Sequence, residues 1–318
     1  MNGFSIGEAY GAGFSLIAKR PVSVLMWGIV YTLLRMGPVA LMFALVGPDL
    51  LAGLSDIIKA FIMGDDPDDF TRHIFPAIAK LQALTALGWL TAIVAVGIVH
   101  AAIFRAVLRP GDGGFFNMKL GMDEVWQGLV FLCAVILIAI LAVGVLMAGA
   151  LAAMLVFFLG EAVGSPLGGW IQGIGMVAVW ISAIVGIIWI CLRFSLAGPA
   201  TFDSRSFQLF ESWQATKGQS WPLLGLALLL FVTLLAIQMV LGVILLGAVG
   251  GLSYSDALTP EAIEDFFAQP PSAWVLQASP FIIGMVLISA LLGGAIYTIL
   301  LAPFASAYRQ ITGDHATA

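Results

Sequence analysis

Residues 128–158 read GLVFLCAVILIAILAVGVLMAGALAAMLVFF, and this run contains no Asp, Glu, Lys or Arg. A helix needs about 20 apolar residues to cross a hydrocarbon core of about 30 Å, so the run can span a bilayer with some tilt. Its unbroken apolar character differs from the alternating apolar and polar residues of a barrel strand. The stretch therefore predicts a transmembrane helix.

Five further apolar runs of similar length lie on either side of it. Arg35 interrupts the first of these runs, while His100 and Arg105 lie near the end of the second. The predicted fold is all-α, a polytopic membrane protein with a single membrane domain over residues 1–318. Its six predicted transmembrane helices cover residues 21–46, 83–108, 128–158, 169–192, 222–249 and 275–303.

Composition supports the same class of protein. Of the 318 residues, 61% are hydrophobic and 10% are charged, and the mean hydropathy is +1.06. A soluble domain carries about 25% charged residues. The net charge of −5 and the two cysteines argue against a nucleic-acid-binding protein and against a disulfide-stapled secreted scaffold. We expect membrane lipids as partners, with a membrane-protein partner or a homo-oligomer as further candidates, and no nucleic acid.

The distribution of basic residues predicts the orientation of the chain. Six spans place both termini on one side, together with the connections that follow the second and fourth spans. That side holds nine of the 13 Lys and Arg residues, the opposite side holds three, and Arg35 lies in the membrane. An excess of Lys and Arg marks the cytoplasmic side. Both termini are therefore predicted to be cytoplasmic.

A motif recurs before each odd-numbered span, in a stretch that we expect to form an amphipathic interfacial helix. Each copy is a Glu, one intervening residue, and an aromatic residue. We infer an internal threefold repeat of two-span units, over residues of about 1–110, 111–200 and 201–318. The alternative is convergence, because aromatic and basic residues gather at headgroup level in unrelated helices. The three copies are Glu8 with Tyr10, Glu124 with Trp126, and Glu211 with Trp213.

Two connections on the opposite side also carry helical patterns. Residues 50–61 place apolar side chains on one face, and residues 255–267 contain Thr259, which can cap a helix, followed by Pro260 at the first helical position. We expect both to be interfacial helices that lie over the bundle.

Residues 193–221 read RFSLAGPATFDSRSFQLFESWQATKGQSW. This stretch resembles uncharacterised bacterial six-span membrane proteins related to YciC and to the membrane domain of glycerophosphoryl diester phosphodiesterases. The resemblance implies a fold and a location in the bacterial inner (plasma) membrane. It implies no catalysis, since the chain has no room for a soluble barrel of about 250 residues. The matching residues are Arg193, Pro199, Ser212, Thr216, Lys217, Gly218 and Trp221.

Arg35 is the strongest single candidate for a functional residue. It lies 15 residues after Arg20, about 22 Å along a helix, which is too far for easy snorkelling to that interface. A charge at this depth costs about 2.5–3.5 kcal/mol on insertion scales and normally faces a bundle interior, a wet cavity or a counter-ion. The candidate partners are a carbonyl, water, an anionic ligand such as a lipid headgroup, or the side chain of Gln238, Thr233, Ser182 or Ser289.

An alternative interpretation removes Arg35 from the membrane interior. Gly37 and Pro38 follow it directly, and a helix can break at such a pair. The first helix would then end near Arg35, and the apolar segment after it would pack across the outer interface. The two interpretations stay open at this stage.

His100 is the second candidate for an intramembrane contact, and we expect it to form an interhelical hydrogen bond, with a proton relay as the alternative. No cluster of His, Cys and carboxylate residues has metal-ligand spacing, so neither a metal nor another cofactor is expected. No catalytic motif occurs in a suitable context, and no enzyme is predicted.

The sequence therefore favours a non-enzymatic integral inner-membrane protein that organises lipids or partner membrane proteins. The alternative is a transporter or channel for a small or amphipathic solute, with Arg35 in its pathway.

Overall fold

The computed structural model describes residues 4–63, 67–112, 114–253 and 271–313. Within these ranges the chain forms helices and no β-strand; the Phe115–Met118 pair makes one isolated bridge. The helices of these ranges are α1 (Ile6–Lys19), α2 (Pro21–Met63), α3 (Pro67–Leu108), α4 (Met122–Val163), α5 (Leu167–Phe194), α6 (Ala197–Ser204), α7 (Glu211–Ala215), α8 (Ser220–Ser253) and α9 (Pro271–Gly313).

Six of these helices are long and apolar enough to cross a membrane, which confirms the predicted all-α polytopic architecture and the number of spans. Four spans extend clearly beyond the predicted limits at one end or at both: the second begins at Phe75, the third covers all of α4, the fourth continues through α6, and the sixth continues to Gly313. The candidate spans are Pro21–Gly47, Phe75–Leu108, Met122–Val163, Leu167–Ser204, Ser220–Ile244 and Ile282–Gly313.

The helices pack mainly as neighbours in sequence, with α9 closing the bundle. Helices α2 and α3 form one antiparallel pair, and α4 and α5 form another, with α3 meeting α4 between them. Helix α9 packs along α2 and also contacts α1 and α3, whereas it has only sparse contact with α8. The α2–α3–α9 group is therefore the centre of the molecule.

The most densely buried part lies at one end of the bundle, which we call the α1 end. It contains α1, α6, α7, the connection between α3 and α4, and the end of α9. The indole of Trp27 is fully buried there and donates from Nε1 to the Phe116 carbonyl at 2.8 Å. The backbone N–H of Ser5 donates to Gln310 Oε1 at 2.8 Å, so the two ends of the described chain meet at this end.

The α4–α5 pair presents a large apolar outer surface. Large side chains such as Ile140, Met147, Leu155, Trp170 and Val185 are exposed along it. In water such a surface would be a liability, but in a membrane protein it is the surface that faces lipid.

Helix α2 corrects two predictions about the first span. It continues without a break through Gly37 and Pro38 to Met63, so the interpretation in which the helix ends near Arg35 is wrong. Residues 50–61 are the distal part of this helix and not a separate interfacial helix. At 1.5 Å per residue α2 is about 64 Å long, about twice the hydrocarbon thickness. The second predicted interfacial helix, 255–267, lies outside the described residues.

Glycine at a helix crossing explains how α2 and α9 approach so closely. A Cβ added at Gly294 would lie 1.9 Å from the Val24 carbonyl oxygen, and one added at Gly28 would lie 2.3 Å from the Ala290 carbonyl oxygen. Small residues allow backbones to touch in lipid, where van der Waals packing and weak hydrogen bonds drive association. By contrast, nothing lies within 4 Å of a Cβ added at Gly293.

Replacing Gly294 by Ala tests this crossing. The added Cβ has to push the α2 backbone away, and we expect the free energy of unfolding to fall by about 1–3 kcal/mol. Gly293→Ala is the matched control, because its Cβ meets open space; it should leave stability unchanged or raise it by up to about 1 kcal/mol through the higher helix propensity of Ala. The unfolding temperature in detergent measures both variants, and equal values would contradict the crossing described here.

Candidate functional site

Arg35 lies on α2 within the membrane-spanning segment, and its side chain is exposed to the space between helices. Its Nη1 donates to the Tyr31 hydroxyl at 2.6 Å, one turn back toward the α1 end. Tyr297 of α9 also donates to Tyr31 Oη, at 2.5 Å, and the two tyrosine rings lie 4.5 Å apart between centroids. We call these three residues the Arg35 triad. Among the described residues, no carboxylate pairs with Arg35.

Two cavities open on either side of the triad. The first cavity lies between α2, α3, α4 and α9 and has a volume of about 540 Å³. The second cavity lies between α2, α8 and α9 and measures about 550 Å³. Both volumes fall within the range of ligand pockets. The walls of both cavities include Tyr31, Arg35, Met36 and Tyr297, so the triad separates them.

Both cavities are mainly apolar, and they differ in the polar residues that accompany the triad, which are Thr85 and His100 in the first cavity. Apart from the triad, the first cavity is lined mainly by apolar groups, among them Leu84, Trp89 and Phe131. The walls of the second cavity include Thr32, Gln238 and Ser289. Thr32 is only 4% exposed, and its hydroxyl has no hydrogen-bond partner among the described residues. A buried hydroxyl without a partner costs about 1–3 kcal/mol.

The partners expected for Arg35 are corrected by these contacts. Gln238 and Ser289 line the same cavity as Arg35 without bonding to it. Thr233 instead shares a 2.8 Å hydrogen bond with Tyr10, and Ser182 bonds to the Ala178 carbonyl of its own helix. Aromatic hydroxyls were missed because apolar runs containing Tyr look like ordinary membrane helix. Tyr31 could have been found from its spacing, four residues before Arg35 on one helical face.

His100 lines the first cavity and is surrounded by aromatic rings. The centroids of Phe104 and Phe131 both lie 6.0 Å from the imidazole, and that of Tyr297 lies 6.1 Å away. The interhelical hydrogen bond expected for His100 is not among the contacts in the described part of the chain. His100 therefore links the α3 wall of the cavity to the triad through ring contacts.

A buried ion pair, which the sequence did not reveal, lies at the α1 end. Arg105 of α3 is 1% exposed, and its Nη2 lies 2.7 Å from Glu124 Oε1 on α4. The same guanidinium donates from Nη1 to the Asn117 carbonyl at 2.6 Å. In the sequence, Arg105 stood out only as one of the basic residues in excess on one side of the membrane, and Glu124 only as part of the repeated Glu-x-aromatic motif. Their places at the end of one span and the start of the next are the only sequence signal that they meet.

Further charges extend this ion pair into the connection between α3 and α4. Asp123 Oδ2 lies 3.4 Å from Arg105 and 3.7 Å from Arg109. Lys119 forms a salt bridge with Asp112. The Lys119 ammonium lowers the pKa of the Asp112 carboxyl below its usual range, and Arg105 and Arg109 act in the same direction. The connection is thus fixed to both helices by paired charges.

The three Glu-x-aromatic motifs have different surroundings. Glu8 lies in α1 and Glu211 begins α7, and both are exposed, whereas Glu124 is buried in the first turn of α4. The aromatic members differ as well. Tyr10 bonds to Thr233 of α8, Trp126 is partly buried, and Trp213 contacts Trp189 with ring centroids 5.0 Å apart.

The stretch 193–221 folds around Arg193. The guanidinium carbon lies 5.1 Å from the Trp189 ring centroid and 5.3 Å from that of Trp213, so the cation is held between two indoles. Ser212 donates to the Arg193 carbonyl at 2.8 Å, and Arg193 reaches Thr216 at 3.4 Å. The remaining residues of the stretch place Pro199 in the core, Gly218 at φ +80° before α8, and Lys217 and Trp221 at the surface.

The described residues contain no group of three or more His, Cys, Asp or Glu side chains that could hold a metal ion. Comparisons with family models, curated proteins and solved structures found no match to this chain. Function has to be argued from the two cavities, the triad and the charges at the α1 end.

Replacing Glu124 by Gln tests whether the buried ion pair anchors the fold. The substitution leaves Arg105 buried without its closest carboxylate, and we expect a loss of about 3 kcal/mol in the free energy of unfolding. Glu211→Gln is the matched control, since Glu211 is exposed and its loss should cost less than about 0.5 kcal/mol. Thermal unfolding in detergent compares them; a Glu124→Gln variant as stable as its control would refute the anchoring role.

Proposed function

We propose that this protein is a non-enzymatic integral membrane protein that binds an anionic lipid within the bilayer and so organises membrane lipid. One observation carries the proposal: the Arg35 guanidinium opens between two lateral cavities without a carboxylate partner among the described residues. A charge in hydrocarbon needs compensation, and an anionic group of a lipid is the compensation that a membrane supplies.

The hydrogen-bonding pattern supports an anion. Tyr31 Oη accepts from both Arg35 and Tyr297, so the proton of its own hydroxyl is left to donate. Arg35 uses one of its five N–H groups on Tyr31. The triad therefore keeps N–H and O–H donors for a ligand, while the Tyr31 oxygen is already occupied as an acceptor. An anionic group such as a phosphate or a carboxylate needs such donors.

The chemistry of the two cavities supports an amphiphile. The apolar walls around Trp89 and Phe131 suit an acyl chain, while Thr32, Gln238 and Ser289 suit the polar part of a headgroup. The anionic group would then lie at Arg35, where the two cavities meet.

The membrane and the orientation are part of the proposal. The excess of Lys and Arg at the α1 end supports a cytoplasmic location for that end and for both termini. The resemblance of residues 193–221 to bacterial six-span proteins supports the inner membrane. The succession of paired spans, α2 with α3 and then α4 with α5, supports the internal repeat, with α8 and α9 as its more open third unit.

Replacing Arg35 by Gln should remove the preference for anionic lipid. The full chain is titrated with phosphatidylglycerol and, separately, with phosphatidylcholine of the same acyl chains, and bound lipid is counted by native mass spectrometry. We expect Arg35→Gln to weaken phosphatidylglycerol binding at least about fivefold, equivalent to about 1 kcal/mol, and to leave phosphatidylcholine binding unchanged. Arg205→Gln, at an exposed position remote from both cavities, is the control.

Thr32→Val gives a second measurement that a purely structural role would not produce. Without added lipid, the variant should be more stable by about 1 kcal/mol, because a buried hydroxyl without a partner is replaced by a methyl group. With phosphatidylglycerol, it should gain less stabilisation than the wild type. If neither Arg35→Gln nor Thr32→Val changes lipid binding, the proposal is wrong.

A transporter or channel for an amphipathic solute is the second candidate. It is favoured by one observation, that the same triad borders both cavities, so a movement of Tyr31 or Tyr297 would join them. The two functions predict different access of water to the triad.

Met36→Cys separates the candidates, because Met36 borders both cavities. In a background with Cys133 and Cys191 replaced by Ala, the new thiol is exposed to reagents in sealed vesicles. If the protein binds lipid, the new thiol should react with membrane-permeant N-ethylmaleimide. It should be protected from a charged methanethiosulfonate added to either side. Reaction with the charged reagent from both sides would favour transport. The control is Val185→Cys on the lipid-facing surface of α5, which should resist the charged reagent in every case.

A further inference from the structure

A groove at the α1 end collects positive charge from two sides. One wall is the face of α1 that ends in Lys19 and Arg20, and the other contains Arg309 near the end of α9. Its volume is about 460 Å³, and Glu8 is the one acidic residue among its described lining residues. The groove therefore carries more positive than negative charge.

The cations of this groove differ from their neighbours at the same end of the bundle. Arg105, Arg109 and Lys119 all form salt bridges with carboxylates of the α3–α4 connection or of the first turn of α4. Among the described residues, neither Lys19 nor Arg309 forms a salt bridge.

The arginines of the groove are positioned through neutral partners, which preserve their charge. Arg20 donates from Nη1 to Asn117 Oδ1 at 2.6 Å, and Arg309 donates from Nη1 to the Val107 carbonyl at 3.2 Å. Their other N–H groups stay available for a ligand. The fold thus orients these two cations without neutralising them.

Small residues keep the α1 wall open. Gly11, Ala12 and Ser15 lie between Glu8 and Lys19 on the groove face of α1, and a Cβ added at Gly11 would meet nothing within 4 Å. The groove also lies where α2 begins and where the spans of α3 and α9 end. Lipid phosphates lie at this depth, and soluble anions can also reach it.

We propose that this groove is a second binding site, selective for a phosphate group, that uses Lys19, Arg20 and Arg309. Arginine forks and a lysine point charge are the side chains that proteins use for phosphate. The site shares no residue with the Arg35 triad or its cavities and does not depend on the function proposed for them. The phosphate can belong to a phospholipid headgroup or to a soluble anion.

The experiment uses the full chain carrying Arg35→Gln, so that the groove is measured without the triad. In the lipid arm, native mass spectrometry compares phosphatidylglycerol with phosphatidylcholine of the same acyl chains. In the soluble arm, calorimetry measures pyrophosphate binding to the protein in phosphatidylcholine nanodiscs. Lys19→Gln is compared with Lys217→Gln, an exposed lysine at the same end that does not line the groove.

Lys19→Gln should weaken phosphate binding about fivefold, because one lysine at a membrane surface contributes about 1 kcal/mol to the attraction of an anion. Lys217→Gln should have little effect. Glu8→Gln removes the opposing charge and should strengthen binding. A Lys19-dependent effect in the lipid arm alone identifies a headgroup site, and one in the soluble arm identifies a site for free phosphate. Equal behaviour of Lys19→Gln and Lys217→Gln in both arms would overturn the proposal.

Discussion

Hydrocarbon offers no hydrogen-bond acceptors, so a guanidinium in the middle of a membrane has to find them within the bundle or on a ligand. Arg35 finds one on its own helix, Tyr31, and that hydroxyl is fixed in turn by Tyr297 of α9. The two tyrosines can meet because α2 and α9 cross in contact at Gly28 and Gly294. The close crossing therefore builds the triad, and the triad divides the space between the helices into two cavities.

The α1 end follows a different principle, because water and headgroups are available there. On the side of α3 and α4, charges are buried and paired, with Arg105 and Glu124 at the centre. On the side of α1 and α9, cations such as Lys19 and Arg309 border an open groove. Paired charges fix one half of this surface, which leaves the other half free to bind anions. The two proposals together place a lipid site inside the membrane and a phosphate site at its edge.

The sequence was sufficient for the fold class, because apolar runs of span length report directly on the membrane. It failed where a local signal was outweighed by packing: Gly37 and Pro38 did not break α2. Arg35 could be singled out from its position in the sequence, since a charge within an apolar run is rare. Tyr297 could not be found in this way, because it lies 266 positions from Tyr31 in the sequence and meets it only through the α2–α9 contact. Contacts between distant helices leave no periodicity in a single sequence.

The proposed lipid site is tested most directly by the density beside Arg35 in a cryo-electron microscopy map of the full chain in nanodiscs of native lipid. We expect an anionic headgroup within hydrogen-bond distance of the Arg35 guanidinium, with its acyl chain in the cavity walled by Trp89 and Phe131 and its polar part toward Thr32. A continuous column of water through both cavities, or a protein carboxylate paired with Arg35, would contradict it.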